Sequence, residues 1–302
     1  MLDILILGTG ASVPSRDRAL PCAAVRRGPD VFLFDCGEGS QRQIMVSPFS
    51  FMHLRAVFIT HLHGDHFYGL PGLLQTMGLM GRTAPLTIAG PEGLSAAVLG
   101  CLAACPAEIG YDIATEEMDP GDDLRFGDVT VTAFATDHGV PSLGFVLRED
   151  DPRPSFDAAK AKTLGISGPD FTALEDGEAV RGVRLADVAA PVRHGQAVAY
   201  TGDTIPAAAV VTAVKGVDVL IHEATFMDAD RDHAVEHHHS TAKQAAEEAR
   251  SAGCGALILV HISNRYKDSA PLLAEAQAVF PDTWLPVDLT LYHLTRHGLR
   301  SV

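Results

Sequence analysis

Several things are missing from this chain, and each absence narrows what it can be. Nowhere in its 302 residues does an apolar run reach the about 18 residues that a membrane-spanning helix needs, so no membrane partner is expected. The opening Met1-Leu2-Asp3-Ile4-Leu5-Ile6-Leu7-Gly8 has no basic segment ahead of its apolar residues. It reads as a first β-strand and not as a secretory signal. Cysteine is scarce. The five present, Cys22, Cys36, Cys101, Cys105 and Cys254, are odd in number, and Cys101 and Cys105 stand four apart on an expected helix instead of in a CxxC pair. That argues against a disulfide framework and for free thiols in a reducing, cytoplasmic setting. Positive charge is also short: 23 Lys and Arg face 38 Asp and Glu, for a net charge of −15. Such a surface opposes unspecific attraction to nucleic acid, although bound divalent cations would offset it locally.

What is present is enough for a sizeable core. The hydrophobic fraction of 47% is ordinary for a globular protein, and the length permits one large domain or two small ones. The most informative stretch is Thr60-His61-Leu62-His63-Gly64-Asp65-His66. It follows an expected buried strand, Ala56-Val57-Phe58-Ile59, and precedes a Gly- and Leu-rich helix. Residues two apart on a strand point the same way, so His61 and His63 are expected to converge on one point. A turn at Gly64 then aims Asp65 and His66 at a second. Imidazole nitrogen and carboxylate oxygen together suit zinc or manganese.

Around this stretch, strands and helices alternate, which indicates an α/β layered fold. The Gly8-Thr9-Gly10 segment reads as a tight turn, and it lacks the third glycine of a dinucleotide site. Asp35, at the end of the expected strand Val31-Phe32-Leu33-Phe34-Asp35, is either the partner of a ligand histidine or a plain turn residue. The segment Glu92 to Ala104 reads as an apolar helix whose Val and Leu side chains are core. Alternation of Val129, Val131 and Ala133 with Thr130 and Thr132 suits a half-buried strand. Thr241 and Gln244 form a capping box ahead of a helix over Ala242 to Ser251. Residues 149 to 196 lose this regularity and read as an insertion into a single domain spanning 1 to 302. At that length it is an arm or a small subdomain, not a structureless loop.

Polar residues collect at the carboxyl ends of the expected strands, where α/β folds build sites. They are His61, His63, Asp65, His66, His138, Asp203 and His261. This donor set suffices for two metals: His61, His63 and His138 on the first, Asp65, His66 and His261 on the second, and Asp203 bridging. Two ions about 3.5–4 Å apart can clamp the attacking and leaving oxygens of a phosphoryl displacement and share a water ionised near neutral pH. His222, His53, His194, His293 and His297 lack such placement and read as ordinary histidines.

The HxHxDH stretch matches the metallo-β-lactamase superfamily motif. Gly8-Thr9-Gly10 with Pro14, Arg16 and Arg18, Phe34-Asp35-Cys36-Gly37-Glu38 and Tyr68-Gly69-Leu70-Pro71-Gly72-Leu73 are narrower. So are His138-Gly139-Val140, Thr201-Gly202-Asp203-Thr204, His222-Glu223-Ala224-Thr225-Phe226, His239-Ser240-Thr241 and His261-Ile262-Ser263-Asn264-Arg265-Tyr266. With these the chain resembles, over nearly its whole length, the ribonuclease Z family of tRNA 3′-processing endonucleases. The resemblance implies an αββα four-layer sandwich, two Zn2+ (with Mn2+ or another divalent metal as alternatives), a homodimer, and cleavage of precursor tRNA after the discriminator nucleotide, leaving a 3′-hydroxyl. It further implies that Glu223 and His239 act near the leaving group and that Asp65 orients the attacking water. Arg265 is a candidate donor to the scissile phosphate. The insertion then corresponds to the family's flexible, tRNA-gripping arm, to which Gly168-Pro169 and Gly177-Glu178 correspond.

The arm departs from that pattern. Asp170 to Asp176 stands where relatives often carry lysines, and residues 149 to 196 hold nine acidic side chains against six basic ones. In the front loop Arg16 and Ala19 stand where lysine and asparagine are usual. A competing expectation is therefore a small-molecule phosphodiesterase or related metallohydrolase on the same scaffold.

Overall fold

A computed structural model describes residues 1–104, 109–152, 156–189 and 194–302; Cys105, Arg153 and Arg193 lie outside the described residues. The chain divides into two compact units, Met1–Arg148 with Gln196–Val302, and Glu149–Gly195.

The larger unit is built on two sheets. The first contains β1 (Leu2–Gly8), β2 (Cys22–Arg27), β3 (Asp30–Phe34), β4 (Leu54–Phe58), β5 (Leu86–Gly90) and β6 (Ile113–Glu117). The second contains β7 (Asp123–Phe126), β8 (Val129–Ala135), β9 (Leu143–Glu149), β10 (Ala197–Tyr200), β11 (Val219–Glu223), β12 (Ala256–Val260) and β13 (Thr283–Trp284). The last two strands, β14 (Thr290–Thr295) and β15 (Gly298–Ser301), return to the first sheet. Among the described residues the strand orders are β15-β14-β1-β2-β3-β4-β5-β6 and β13-β12-β11-β10-β9-β8-β7. Strands β3 to β6 are parallel, as are β10 to β13. The helices are α1 (Ser40–Val46), α2 (Gly64–Phe67), α3 (Gly69–Leu79), α4 (Leu94–Ala104), α5 (Ala158–Thr163), α6 (Asp170–Glu175), α7 (Leu185–Val188), α8 (Ala208–Ala213), α9 (Arg231–Glu236), α10 (Ala242–Ala252) and α11 (Ala270–Gln277).

The strand sequences explain the layers. A strand covered on both faces must be apolar at successive positions. In β1, Ile4 and Ile6 join a core shared with Val131, Phe145, Val198 and Ile221 of the second sheet. Leu5 and Leu7 instead join Leu70, Leu73 and Met77 of α3. On the far side, Ala199, Leu220 and Leu257 pack against Ala245, Ala249 and Leu272 of α10 and α11. The result is helix, sheet, sheet, helix, the α/β sandwich the sequence led us to expect. Phe34, Phe58, Phe145 and Tyr200 fill the centre, with ring centroids 5.1 to 6.3 Å apart.

Local chemistry sets the element ends. At α10 the Thr241 hydroxyl accepts from Gln244 N at 3.2 Å, and the Gln244 side chain accepts from Thr241 N at 2.9 Å. Gly253, at φ 66°, terminates the same helix. Two expectations need correcting. In α4 only Leu94 and Val98 are buried and Leu99 is 63% exposed, because a helix on a sheet edge covers one stripe however apolar its other faces are. Gly8 and Gly10 do not form a tight turn. A Cβ on Gly8 would lie 1.8 Å from the Leu20 carbonyl oxygen, so glycine is required there by close approach of two backbone segments.

The smaller unit has its own cluster, in which Ala161, Ile166, Leu174 and Val188 are buried and Phe156 and Phe171 pack against them. Asp157 caps α5 by accepting from Lys160 N at 3.0 Å. Among the described residues no helix is long and apolar enough to cross a membrane.

Candidate metal centre and acid–base pair

Asp35 follows β3, His61 and His63 follow β4, Asp203 follows β10, Glu223 ends β11 and His261 follows β12. Strand alternation does not aim His61 and His63, contrary to our expectation. β4 stops at Phe58, and Thr60 to His63 is irregular. The physical cause is Asp35, whose carboxylate accepts from Thr60 N at 2.8 Å and from Thr60 Oγ1 at 3.0 Å and draws the chain out of the sheet. Gly202, at φ +62°, lets the segment after β10 come close, since a Cβ there would stand 2.6 Å from the Thr60 side chain.

The seven strand-end side chains meet. His61 Nε2 lies 3.1 Å from His63 Nδ1, which lies 3.2 Å from His138 Nε2. His66 Nε2 and His261 Nε2 each lie 3.5 Å from Asp65 Oδ2. Between the two groups stands Asp203 Oδ2, at 3.8, 3.6, 3.3 and 3.3 Å from His61, His138, His66 and His261. The groups His61–His63–His138 and Asp65–His66–His261 each bring their donor atoms within 4.8 Å of one another.

The tautomers agree with metal binding. His66 Nδ1 donates to Asp35 Oδ2 at 2.7 Å, and Tyr200 donates to the same oxygen at 3.0 Å. His138 Nδ1 donates to the His238 carbonyl at 2.8 Å. His261 Nδ1 is 2.8 Å from Thr225 Oγ1. Such outer bonds leave Nε2 bare and fix ring orientation. His66 Nε2, His261 Nε2 and Asp203 Oδ1 are buried with no hydrogen-bond partner, a costly state for polar atoms unless a ligand satisfies them. The residues therefore fit divalent metal binding. Burial pushes the His61 imidazole well below its ordinary range. Burial alone would raise the Asp203 carboxyl, but His261 and His66 hold it well below the usual carboxylate range. Non-glycine backbone strain marks the same place: Asp35 and His261 both have φ 57°.

Beside this cluster lies a buried pair. His239 Nδ1 donates to Glu223 Oε1 at 2.8 Å. Burial disfavours a charge on His239, yet the adjacent Glu223 carboxylate outweighs it and raises the imidazole to about 9. His239 and Asp65 line a cleft of about 440 Å³ together with Arg265. The Arg265 guanidinium lies 4.7 Å over the Phe226 ring and 4.0 Å from Asp230.

His222 is fully buried and bonded to Glu248 at 2.9 Å, away from the cluster. Three participants are not singled out by the sequence, although Thr225 stands inside the stretch His222 to Phe226. Tyr200 and Thr225 make the outer bonds just described. Asp288 accepts from Thr9 N at 3.0 Å and Ala19 N at 2.5 Å. It thereby pins the loop whose Ser12 N donates to Asp65 Oδ2 at 2.9 Å. No spacing rule connects a residue near position 9 with one near 288.

Comparison with known proteins adds to this geometry. A family model described as beta-lactamase superfamily domain matches residues 31–159 and 168–262. A ribonuclease Z of Archaeoglobus fulgidus is 42% identical over 98% of this chain and 98% of its own. A ribonuclease Z of Bacillus licheniformis is 38% identical over 98% of this chain and 100% of its own. Among solved structures, human tRNase Z, short form, superposes with a TM-score of 0.72 at 28% identity, covering 97% of this chain and 99% of that one.

Proposed function

Because this chain belongs to the ribonuclease Z family of the metallo-β-lactamase superfamily, we propose that it is a metal-dependent endoribonuclease. It cleaves precursor tRNA on the 3′ side of the discriminator nucleotide and leaves a 3′-hydroxyl. His61, His63 and His138 would hold one cation, Asp65, His66 and His261 the other, with Asp203 shared. Zinc is the first candidate for this donor set and manganese the second. When bound, such a pair supplies a water of lowered pKa and neutralises charge on the phosphate.

The chain's own residues then do the rest. Asp65 is held by the Ser12 amide and serves to orient the attacking water. Arg265 faces the cleft and serves as a charge-assisted donor to a phosphate oxygen. His239, kept protonated by Glu223, gives a proton to the leaving 3′ oxygen. The observation that carries the reading is this buried His239–Glu223 pair beside a seven-residue donor cluster, in a chain that matches ribonuclease Z over nearly its full length. The family resemblance also supports a homodimer and a cytoplasmic location.

The test is to incubate the purified protein with a precursor tRNA carrying a 3′ trailer and to map both new ends. We expect a 3′-hydroxyl after the discriminator and a 5′-phosphate on the trailer, abolished by chelation and restored by zinc or manganese. A second reading, a small-molecule phosphodiesterase, is favoured by the acidic arm, since phosphate contacts dominate RNA affinity. Hydrolysis of a small phosphodiester with an intact precursor would select it.

A further inference from the structure

Glu223 has more to do than hold one histidine. Its Oε1 accepts from His239 Nδ1 at 2.8 Å and from Thr204 N at 3.0 Å. Its Oε2 accepts from Thr225 Oγ1 at 2.6 Å and from Thr225 N at 3.2 Å. A hydroxyl has one proton to give. With that proton on Glu223, the oxygen of Thr225 is left to accept. Two imidazole nitrogens face it, His261 Nδ1 at 2.8 Å and His239 Nδ1 at 3.3 Å, and the second already donates to Glu223, so the donor is His261. His261 is thereby fixed as the Nδ1–H tautomer, and its bare Nε2 is the atom that points at Asp65 and Asp203. Glu223, Thr225 and His261 are all buried, so water cannot substitute for a lost bond without entering the core. His261 also sits at φ 57°. Its backbone is held in a region that side-chain-bearing residues rarely adopt, and the Thr225 contact is the hydrogen bond made by its Nδ1.

We infer that Thr225 is a positioning residue for His261, and that through it Glu223 holds both a ligand of the second metal and the leaving-group acid. The acid and the metal site are therefore not independent parts: one carboxylate orients both. This rests on the two-metal reading given above.

The experiment titrates metal-free wild type, Thr225→Val, Glu223→Gln and Thr225→Ser with Zn2+ against a chromophoric chelator. The wild type is expected to take two ions. Thr225→Val keeps the shape and removes the hydroxyl, so one ion should bind about 10- to 100-fold more weakly, the usual cost of losing an outer partner of a ligand. The other ion should be unaffected, and Thr225→Ser should restore both. Glu223→Gln should weaken the same ion, and the double variant no more than the worse single one, because both act through one chain of bonds. Two ions bound to Thr225→Val with wild-type affinity would overturn the inference, as would full additivity in the double variant. If the wild type takes up no ion, the two-metal reading itself fails, which is a separate result. Should Thr225→Val not fold, Thr225→Ala is read by the same criteria.

Discussion

At the scale of single residues, the division of labour between Glu223 and His239 follows from counting donors. Glu223 accepts four hydrogen bonds, so it has no role left as a proton donor. His239 has Nδ1 committed to Glu223 and its imidazole raised to about 9, which favours the charged form and suits the role of acid proposed for it. General acids contribute about 100- to 10,000-fold. We predict that His239→Ala lowers single-turnover cleavage of precursor tRNA by that order. In the wild type the rate should fall at high pH as His239, raised above its ordinary range by Glu223, loses its proton, because the acid is then spent. The falling limb should be absent in the variant. An unchanged turnover with a raised KM would mean that His239 binds substrate and is not the acid.

At the scale of elements, β11 and α10 are joined by a buried ion pair. His222, on β11, bonds Glu248, on α10, at 2.9 Å, and Glu248 also accepts from Ala207 N at 2.8 Å. Burial works against a charge on His222, but its hydrogen bond to the accepting Glu248 carboxylate outweighs it and the imidazole is raised above its ordinary range. The sign follows. A histidine raised on folding contributes stability that is fully present below its unfolded value, about 6.5, and that is lost as pH rises through the folded value. We predict that His222→Leu destabilises the protein by about 3–5 kcal/mol, the cost of stranding one buried partner. Denaturant titrations of the variant should also lose this stretch of pH dependence. Equal slopes against pH in both proteins would contradict the assignment.

The elements differed in how plainly the sequence announced them. The start of α10 was legible because its capping box is a local pattern. The burial of α4 was not, since an apolar composition does not say which face meets a sheet. The metal motif was legible as residue types at close spacing, but not as geometry. Its histidines are aimed by a loop that Asp35, 25 residues earlier, bends through Thr60.

At the scale of the whole molecule, the second compact unit, Glu149–Gly195, interrupts the sandwich between β9 and β10. Phe171 and Leu174 of α6 belong to its own small core, so removing residues 168–177 unmakes that core, while the core clusters of the larger unit include none of these residues. We predict that deleting residues 168–177 slows cleavage of precursor tRNA at least about tenfold more than hydrolysis of a small phosphodiester. A single lost RNA contact is worth about 1–3 kcal/mol. Equal loss on both substrates would argue that the arm does not bind RNA. The acidic residues of this segment make the comparison informative, because a phosphate grip by charge alone is not available to it.

The α/β class and the candidate status of seven side chains were legible in the sequence, because hydrophobic periodicity, capping patterns, the close spacing of His61 to His66 and the ends of apolar runs need no folding to be seen. The tertiary structure alone decided which atoms of those residues face one another and who holds them there. Tyr200, Thr225 and Asp288 act across 165, 36 and 279 positions of chain: Thr225 and Asp288 meet their partners only when strands distant in sequence become neighbours in a sheet, and Tyr200 meets Asp35 only when the two sheets pack together.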